Sequence, residues 1–567
     1  MIKDYTFDEF EKPSRLQWIE KLNKDLGEDI AKRISTWTSE RNLDLSAYYD
    51  RNDVTDISPV PTPPNLSWKY LQTFDSNDTN AELLDALMNG ADGAILEESV
   101  IPSLDKILNK VAPEHCTLAI RTSNLESYQT YCKWVDANLG ESQQSEVLLF
   151  GDFTTVASQT SPSRLSFLLG SFVKGQTRKH KTTCLDSGLI QSMGGSAQLE
   201  LSYLLSQSTY YINSLLDQGH DVEQVLDSLF ISTAVGSNFF LELAKIRAMR
   251  MLMSQITKAY GATDVHIPIH AKTSPFTKSA IDANTNFLRC STESMSAALA
   301  GVDYLSINPH HNIKSGERIA RNISNLLKEE SHFAKTLDPS AGSYYVEQLT
   351  QQLAKKAWQS FQELERKGGF EAAITKEYFE KEIMADFEFQ KARIITGSRK
   401  MVGVNDFGNQ DEKIDKDQLS YEYPSIAEDF EHVRMWVETY VQNKGENDRP
   451  QIYLVGVGTN AKMMNARFTF ATNFFNWSGM KVNKYNGQHL TKNAIIVCCG
   501  ADDDYSEAVI FKALESLPAD TEVLAAGKEH AEASDRISAW INVKSNRLAM
   551  IKDILTRMDI TQNLLSL

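Results

Sequence analysis

Short apolar or β-branched runs alternate with amphipathic helical stretches from Trp68 to about Lys400, and few architectures accept so long a repetition of that unit. Strand candidates are Gly93 to Glu97, Thr117 to Thr122, Glu146 to Phe153, Thr182 to Ser187, Val265 to His270 and Val302 to Asn308. The intervening helices carry their apolar residues at steps of three and four. Ile246, Met249, Met253, Ile256 and Tyr260 form one such stripe, ending at Gly261, and Ala354, Ala357, Trp358, Phe361 and Leu364 form another, ending at Gly368. A helix between two strands returns the chain to the same edge, so strands in this alternation pair in parallel. About 330 residues of it suit a (β/α)8 barrel. The methionines of the first stripe read as core filler.

At 567 residues the chain exceeds what one hydrophobic core supports, so further domains are expected. Residues 1–57 have helical patterning at Leu16, Ile19, Leu22 and Leu26 but little apolar material, and are expected to form a helical arm for subunit association. The proline-rich run Ser58 to Asn65 breaks regular structure, and the barrel is expected over 58–400. Residues 401–450 turn acidic and read as a linker with a short helix around Ile426 to Val441. From Gln451 to the last residue, 567, five short strands alternate with helices: QIYLVGVG, MKVNKY, NAIIVCC, TEVLAAG and SAWINV. That pattern fits a small doubly wound sheet of flavodoxin type.

Composition narrows the function. The net charge of −17, from 58 basic and 75 acidic residues, opposes binding to nucleic acid in the absence of a local basic patch. The six cysteines lack the CxxC pairing of a zinc site and read as reduced thiols, with Cys498 and Cys499 as small strand residues. No apolar run reaches the roughly 20 residues of a membrane helix, and MIKDYTFDEFEK does not resemble a secretory signal. A cytoplasmic protein is expected.

The turn after Gln451 to Gly458 stands where doubly wound sheets hold ligands, at a strand's carboxyl end. Gly456-Val457-Gly458-Thr459-Asn460-Ala461 fits the G-x-G-x-x-A form of a dinucleotide site. The acidic residue expected about 20 positions later is missing: Asn483, Lys484, Tyr485 and Asn486 stand there. The pattern therefore reads as a structural turn. His310 and His311 resemble a metal pair but have no third ligand nearby in sequence, and read as loop residues. Asp338-Pro339 with Gly342 is turn chemistry, and Glu200, Glu242 and Arg247 read as helix ion pairs.

Four words in order give the chain a family resemblance: GGSAQLELSYLL (Gly194 to Leu205), NFFLELAKIRAMRML (Asn238 to Leu252), LDPSAGSYYVEQLT (Leu337 to Thr350) and GSRKMVGVN (Gly397 to Asn405). They resemble the methylmalonyl-CoA mutase family, in which a substrate-binding (β/α)8 barrel precedes a cobalamin-binding domain. Active members carry Asp-x-His-x-x-Gly in the first turn of that domain, the histidine giving cobalt a nitrogen and the aspartate orienting it. Here Asn460, Lys462 and Asn465 take those three positions. An ammonium has no lone pair to donate. Asp502, Asp503 and Asp504 would repel an anionic cofactor tail if they faced it, though the run also reads as a solvated loop and helix cap.

In the barrel, the family's Ser-Gly-Tyr-His-Met-Gln-Glu segment becomes one with Gly188 at the tyrosine, Leu189 at the histidine and Ser192 at the glutamate. Its Arg-x-His-Ser-Gln-Thr-Ser becomes PIHAKTS, with Pro268 for the arginine while His270 persists, in a role the sequence leaves open. A leucine neither donates a hydrogen bond nor moves a proton. No catalytic, cofactor-binding or metal residue is therefore expected on this chain. The resemblance implies a non-catalytic partner to a large catalytic subunit that holds adenosylcobalamin and acyl-CoA in a heterodimer. The alternative is a diverged acyl-CoA mutase that binds cobalamin without histidine.

Overall fold

The structure is a computed structural model that describes residues 14–54, 58–138, 147–151, 180–263, 265–308, 314–414, 423–491, 493–518, 521–529 and 532–561. His310 and His311 lie outside the described residues.

Helices Arg15–Leu26 and Glu28–Ser35 lead into a two-stranded antiparallel hairpin, β1 (Thr36–Glu40) with β2 (Leu43–Ser46). Sequence reasoning read only helix here. The hairpin turns at Asn42, whose φ of 66° is a left-handed conformation that asparagine tolerates. Arg41 at that turn pairs with Asp386 at 2.6 Å and with Glu382, fastening the hairpin to helix Tyr378–Ile395.

The barrel strands are β3 (Lys69–Phe74), β4 (Gly93–Glu97), β5 (Thr117–Arg121), β6 (Val147–Phe150), β7 (His180–Lys181), β8 (Thr183–Asp186), β9 (Leu229–Val235), β10 (Ile269–Thr273) and β11 (Tyr304–Ser306). All pair in parallel. Only Thr182 separates β7 from β8, so the two fill one strand position: β7 pairs with β6 and β8 with β9. Pairing of β11 with β3 closes the ring, and the barrel is of the (β/α)8 type. Its interior is filled by Leu71, Ile95, Ala119, Leu148, Phe150, Cys184, Phe230 and Tyr304. Side chains on the alternate strand positions meet the surrounding helices in a separate, larger core.

The second sheet is β12 (Gln451–Gly456), β13 (Lys481–Lys484), β14 (Ala494–Cys499), β15 (Glu522–Ala526) and β16 (Ala539–Ile541), all parallel, in the order β13-β12-β14-β15-β16. That is the flavodoxin order, whose ligand site lies at the β12/β14 switch point. Helix Glu428–Lys444 bridges the two units. Its Glu431 accepts from the Ser279 hydroxyl at 2.5 Å and the Ala280 amide at 2.7 Å, while Phe430, Val433 and Val437 join the core of the second sheet. Among the described residues no helix is long and apolar enough to cross a membrane.

Candidate functional site

In a (β/α)8 barrel the chemistry sits at the carboxyl ends of the strands. Leu189 is there, half-buried on the short helix Gly188–Ser192 that follows β8. Gly188 packs so closely on β9 that an added Cβ would lie 2.7 Å from the Ala234 nitrogen. A tyrosine at that position would require β9 to move. Ser192 is fully buried and its hydroxyl has no hydrogen-bond partner among the described residues.

His270 projects into the barrel from β10, in register with Ser232 on β9 and Tyr304 on β11. The Ser306 hydroxyl donates to the Leu71 carbonyl at 2.8 Å, so it can only accept from His270 Nε2 at 2.9 Å. That places the proton on Nε2 and leaves Nδ1 buried without a partner. Burial, with the Lys272 and Arg121 cations nearby, holds the imidazole far below the usual histidine pKa. It is neutral, packed edge-on to Phe150 at 4.8 Å between ring centres, and is no proton donor of acid strength.

Pro268 lies elsewhere. It precedes β10 at the strand's amino end, where its carbonyl accepts from the Ile231 amide at 2.8 Å. The structure does not bring it to the mouth with Leu189. The mouth instead gathers Glu97, which pairs with Arg121 at 2.8 Å, and Asp186 and Lys272 from the inward faces of β8 and β10. Arg121 lies 5.7 Å from the Phe150 ring centre. Sequence reasoning missed all four, because each is the last inward position of a strand whose other residues read as core. Lys272 stands where the resemblance expects glutamine.

The words that carry the resemblance have structural work. Arg247 on helix Phe239–Ala259 pairs with Glu347 at 2.9 Å and Asp338 at 3.0 Å, and Glu347 also accepts the Gly342 amide at 2.9 Å. LDPSAGSYYVEQLT is thus the strap that fixes the start of helix Tyr344–Arg366 to its neighbour. The Lys245 ammonium is fully buried between Glu200 and Glu242, at 2.6 Å from each, and donates to the Ala234 carbonyl at 2.7 Å. A buried cation needs such company.

At the second sheet, Gly458 turns the chain after β12 with φ of 78°, and Asn460 caps helix Ala461–Phe475 by accepting from the Met463 amide at 3.1 Å. Lys462 and Asn465 are exposed on the first turns of that helix. The space a side chain would need at Gly458 is taken by the carboxylate of Asp504, which also accepts from the Ala501 amide at 3.0 Å. Asp502 pairs with Arg467 at 2.8 Å. Beside them the buried Tyr505 hydroxyl accepts from the Gly500 amide at 2.9 Å and donates to the Ala526 carbonyl at 2.7 Å, with Trp540 edge-on at 5.1 Å. The carboxyl ends of β12, β14 and β15 are therefore occupied by the chain's own side chains.

These residues do not fit a cobalamin: the turn offers an ammonium where an imidazole is needed, and Asp504 lies on the glycine. The same carboxylate opposes a pyrophosphate at this helix start, where Asn460 already serves the free amide. Burial pushes the Cys498 thiol up to about 12 and the Cys499 thiol up as well, so neither is a ready nucleophile. Among the described residues no group of three His, Cys, Asp or Glu could hold a metal ion.

Comparison with known proteins agrees with this architecture. The family model described as methylmalonyl-CoA mutase matches residues 154–442. The methylmalonyl-CoA mutase small subunit of Porphyromonas gingivalis is 28% identical, covering 97% of this chain and 98% of that one. A probable methylmalonyl-CoA mutase small subunit of Mycobacterium tuberculosis is 27% identical over 94% of each chain. The methylmalonyl-CoA mutase large subunit of Streptomyces virginiae is 34% identical, over 40% of this chain and 32% of its own length. The chain belongs to the methylmalonyl-CoA mutase family.

Proposed function

We propose that this chain is the small, non-catalytic subunit of a heterodimeric adenosylcobalamin-dependent mutase, whose large subunit interconverts succinyl-CoA and (R)-methylmalonyl-CoA. The observation that carries the reading is the filled turn of the second sheet. Asp504 lies against Gly458 and Tyr505 bonds across the strand ends, so lysine in place of the histidine at 462 is accompanied by the chain's own side chains packed at the carboxyl ends of the sheet. Leu189 and Gly188 at the barrel mouth are a second, separate departure from the active pattern. Adenosylcobalamin belongs on the large subunit in this account, and this chain supplies interface.

The amino-terminal arm supports the association. No residue of helix Arg15–Leu26 is buried, and Leu16 (72% exposed), Ile19, Leu26, Ile30 and Ile34 (52%) leave apolar surface uncovered. Contiguous exposed apolar surface marks a contact surface. The hairpin that follows anchors the arm to its own barrel through Arg41.

Purified alone, the chain is expected to be inactive, and adding the large chain should give mutase activity. Full activity from the large chain with this one omitted would refute an essential subunit.

A further inference from the structure

A cavity of about 300 Å³ opens at the rim of the barrel, between the loops that leave β9 and β10 and the segment 394–402. It is separate from both sites above. Two guanidiniums line it, Arg289 from helix Thr285–Leu299 and Arg399 from the GSRKMVGVN word. Each is held by neutral groups only. Arg289 donates to the Asn286 side-chain oxygen at 2.6 Å and to the Val402 carbonyl at 2.5 Å. Arg399 donates to the Gln390 side-chain oxygen at 2.6 Å and to the Ser237 hydroxyl at 2.9 Å.

Among the described residues no carboxylate lines the cavity, and the acids that act on Arg289 stand behind it: Asp282 accepts from the Thr285 hydroxyl, Glu293 is paired with Lys278 at 2.6 Å, and Glu431 accepts from Ser279 and Ala280. Glu242 is paired with Lys245, while burial and the neighbouring Glu242 carboxylate raise Glu40 to about 8, so it is largely protonated at neutral pH. In a chain of net charge −17, two cations without a carboxylate partner facing one cavity are a local reversal of sign. Burial lowers the pKa of both guanidiniums, a sign of incomplete charge compensation.

The rest of the lining selects among anions. Ile394, Met401 and Ile426 give an apolar wall, and Thr292 adds a hydroxyl at the mouth. An inorganic anion would leave that wall without a partner. A carboxylate suits the planar fork of a guanidinium, and a short hydrocarbon chain suits the wall. We propose that this cavity binds a small carboxylate with a short aliphatic body, bridging the barrel to the segment that leads into the second sheet.

The test uses the full chain, with butyrate, acetate and inorganic phosphate as probes in calorimetric titration and saturation-transfer NMR. Butyrate should bind saturably at one site per chain. It should bind roughly tenfold tighter than acetate, because two further methylenes leave water. Arg399→Met should weaken butyrate at least tenfold. Thr292→Trp, an exposed helix position that overhangs the opening, should block binding with the folded state intact. Absence of saturable butyrate binding would overturn the proposal. So would affinity unchanged in both variants, or phosphate binding as tightly as butyrate. Mutase activity of the heterodimer is not the readout, so failure here leaves the subunit assignment untouched.

Discussion

Glu431 sits at the junction of the barrel and the second sheet, and replacing it with glutamine should change how stability depends on pH. The side chain is fully buried. One oxygen accepts from Ser279 and Ala280, and the other has no partner among the described residues. Burial pushes its carboxyl from the ordinary 4.5 up to about 7, with those hydrogen bonds and Arg289 opposing the rise. A carboxyl raised in the folded state binds its proton more tightly there than in the unfolded chain. Its stabilising contribution is complete below 4.5 and is lost as pH rises through about 7. At about 1.36 kcal/mol per unit the full loss is about 3 kcal/mol, of which roughly 2.5 kcal/mol falls between pH 5 and 8. Glutamine keeps an acceptor for Ser279 and Ala280 and cannot ionise. Thermal unfolding of wild type and Glu431→Gln should therefore converge near pH 5 and separate towards pH 8, the variant unfolding several degrees higher. Taking the difference between the two proteins cancels the other titrating groups. Parallel curves across pH 5 to 8 would show that the carboxylate is compensated in place and refute the argument.

Three further outcomes follow from the buried networks and the filled turn. Arg247→Met strands Glu347 and Asp338 beside an apolar side chain and should cost about 3 kcal/mol or more in urea unfolding, as breaking a buried ion pair does. Tyr505→Phe removes the hydroxyl that joins Gly500 to Ala526 and should cost about 1 to 3 kcal/mol, with mutase activity of the assembled heterodimer unchanged at temperatures where the variant stays folded. Restoring the ligating pattern with Asn460→Asp and Lys462→His should leave the visible spectrum of added cobalamin the same as that of the free cofactor, because Asp504 still lies on Gly458; a shifted spectrum on the isolated chain would show that the space is open.

Parallel barrel and doubly wound sheet were legible because most strands are apolar runs bounded by glycine, proline or polar clusters. β9 escaped notice for want of such punctuation, since LFISTAV follows helix Val222–Ser228 without a break, and β3 because Lys69, Gln72 and Thr73 interrupt KYLQTF as an apolar run. β10 begins four residues later than its apolar run suggests, since Pro268 lacks an amide and β10 pairs only from Ile269 onward. The hairpin Thr36 to Ser46 is nearly all polar outside Trp37, Leu43 and Leu45, and nothing in its local pattern distinguishes it from a frayed helix.

For the site, the residue types at 189, 460, 462 and 465 were readable one by one, and so was the acidity of 502–504. That Asp504 rests on Gly458, 46 positions earlier, is a tertiary contact that no local spacing encodes. Gly188 gives the same lesson, being small because β9 passes against it. Pro268 shows the converse. The resemblance placed it among site residues, and the strand register puts it at the other end of β10 from Lys272.

The central claim is that this chain contributes a fold and an interface while its partner holds the cofactor. Counting adenosylcobalamin per chain tests it most directly, by visible absorption and cobalt content on this chain alone, on the large chain alone and on the purified heterodimer. The account predicts none on this chain and one per heterodimer. Stoichiometric cobalamin on this chain by itself, or two per heterodimer, would contradict it.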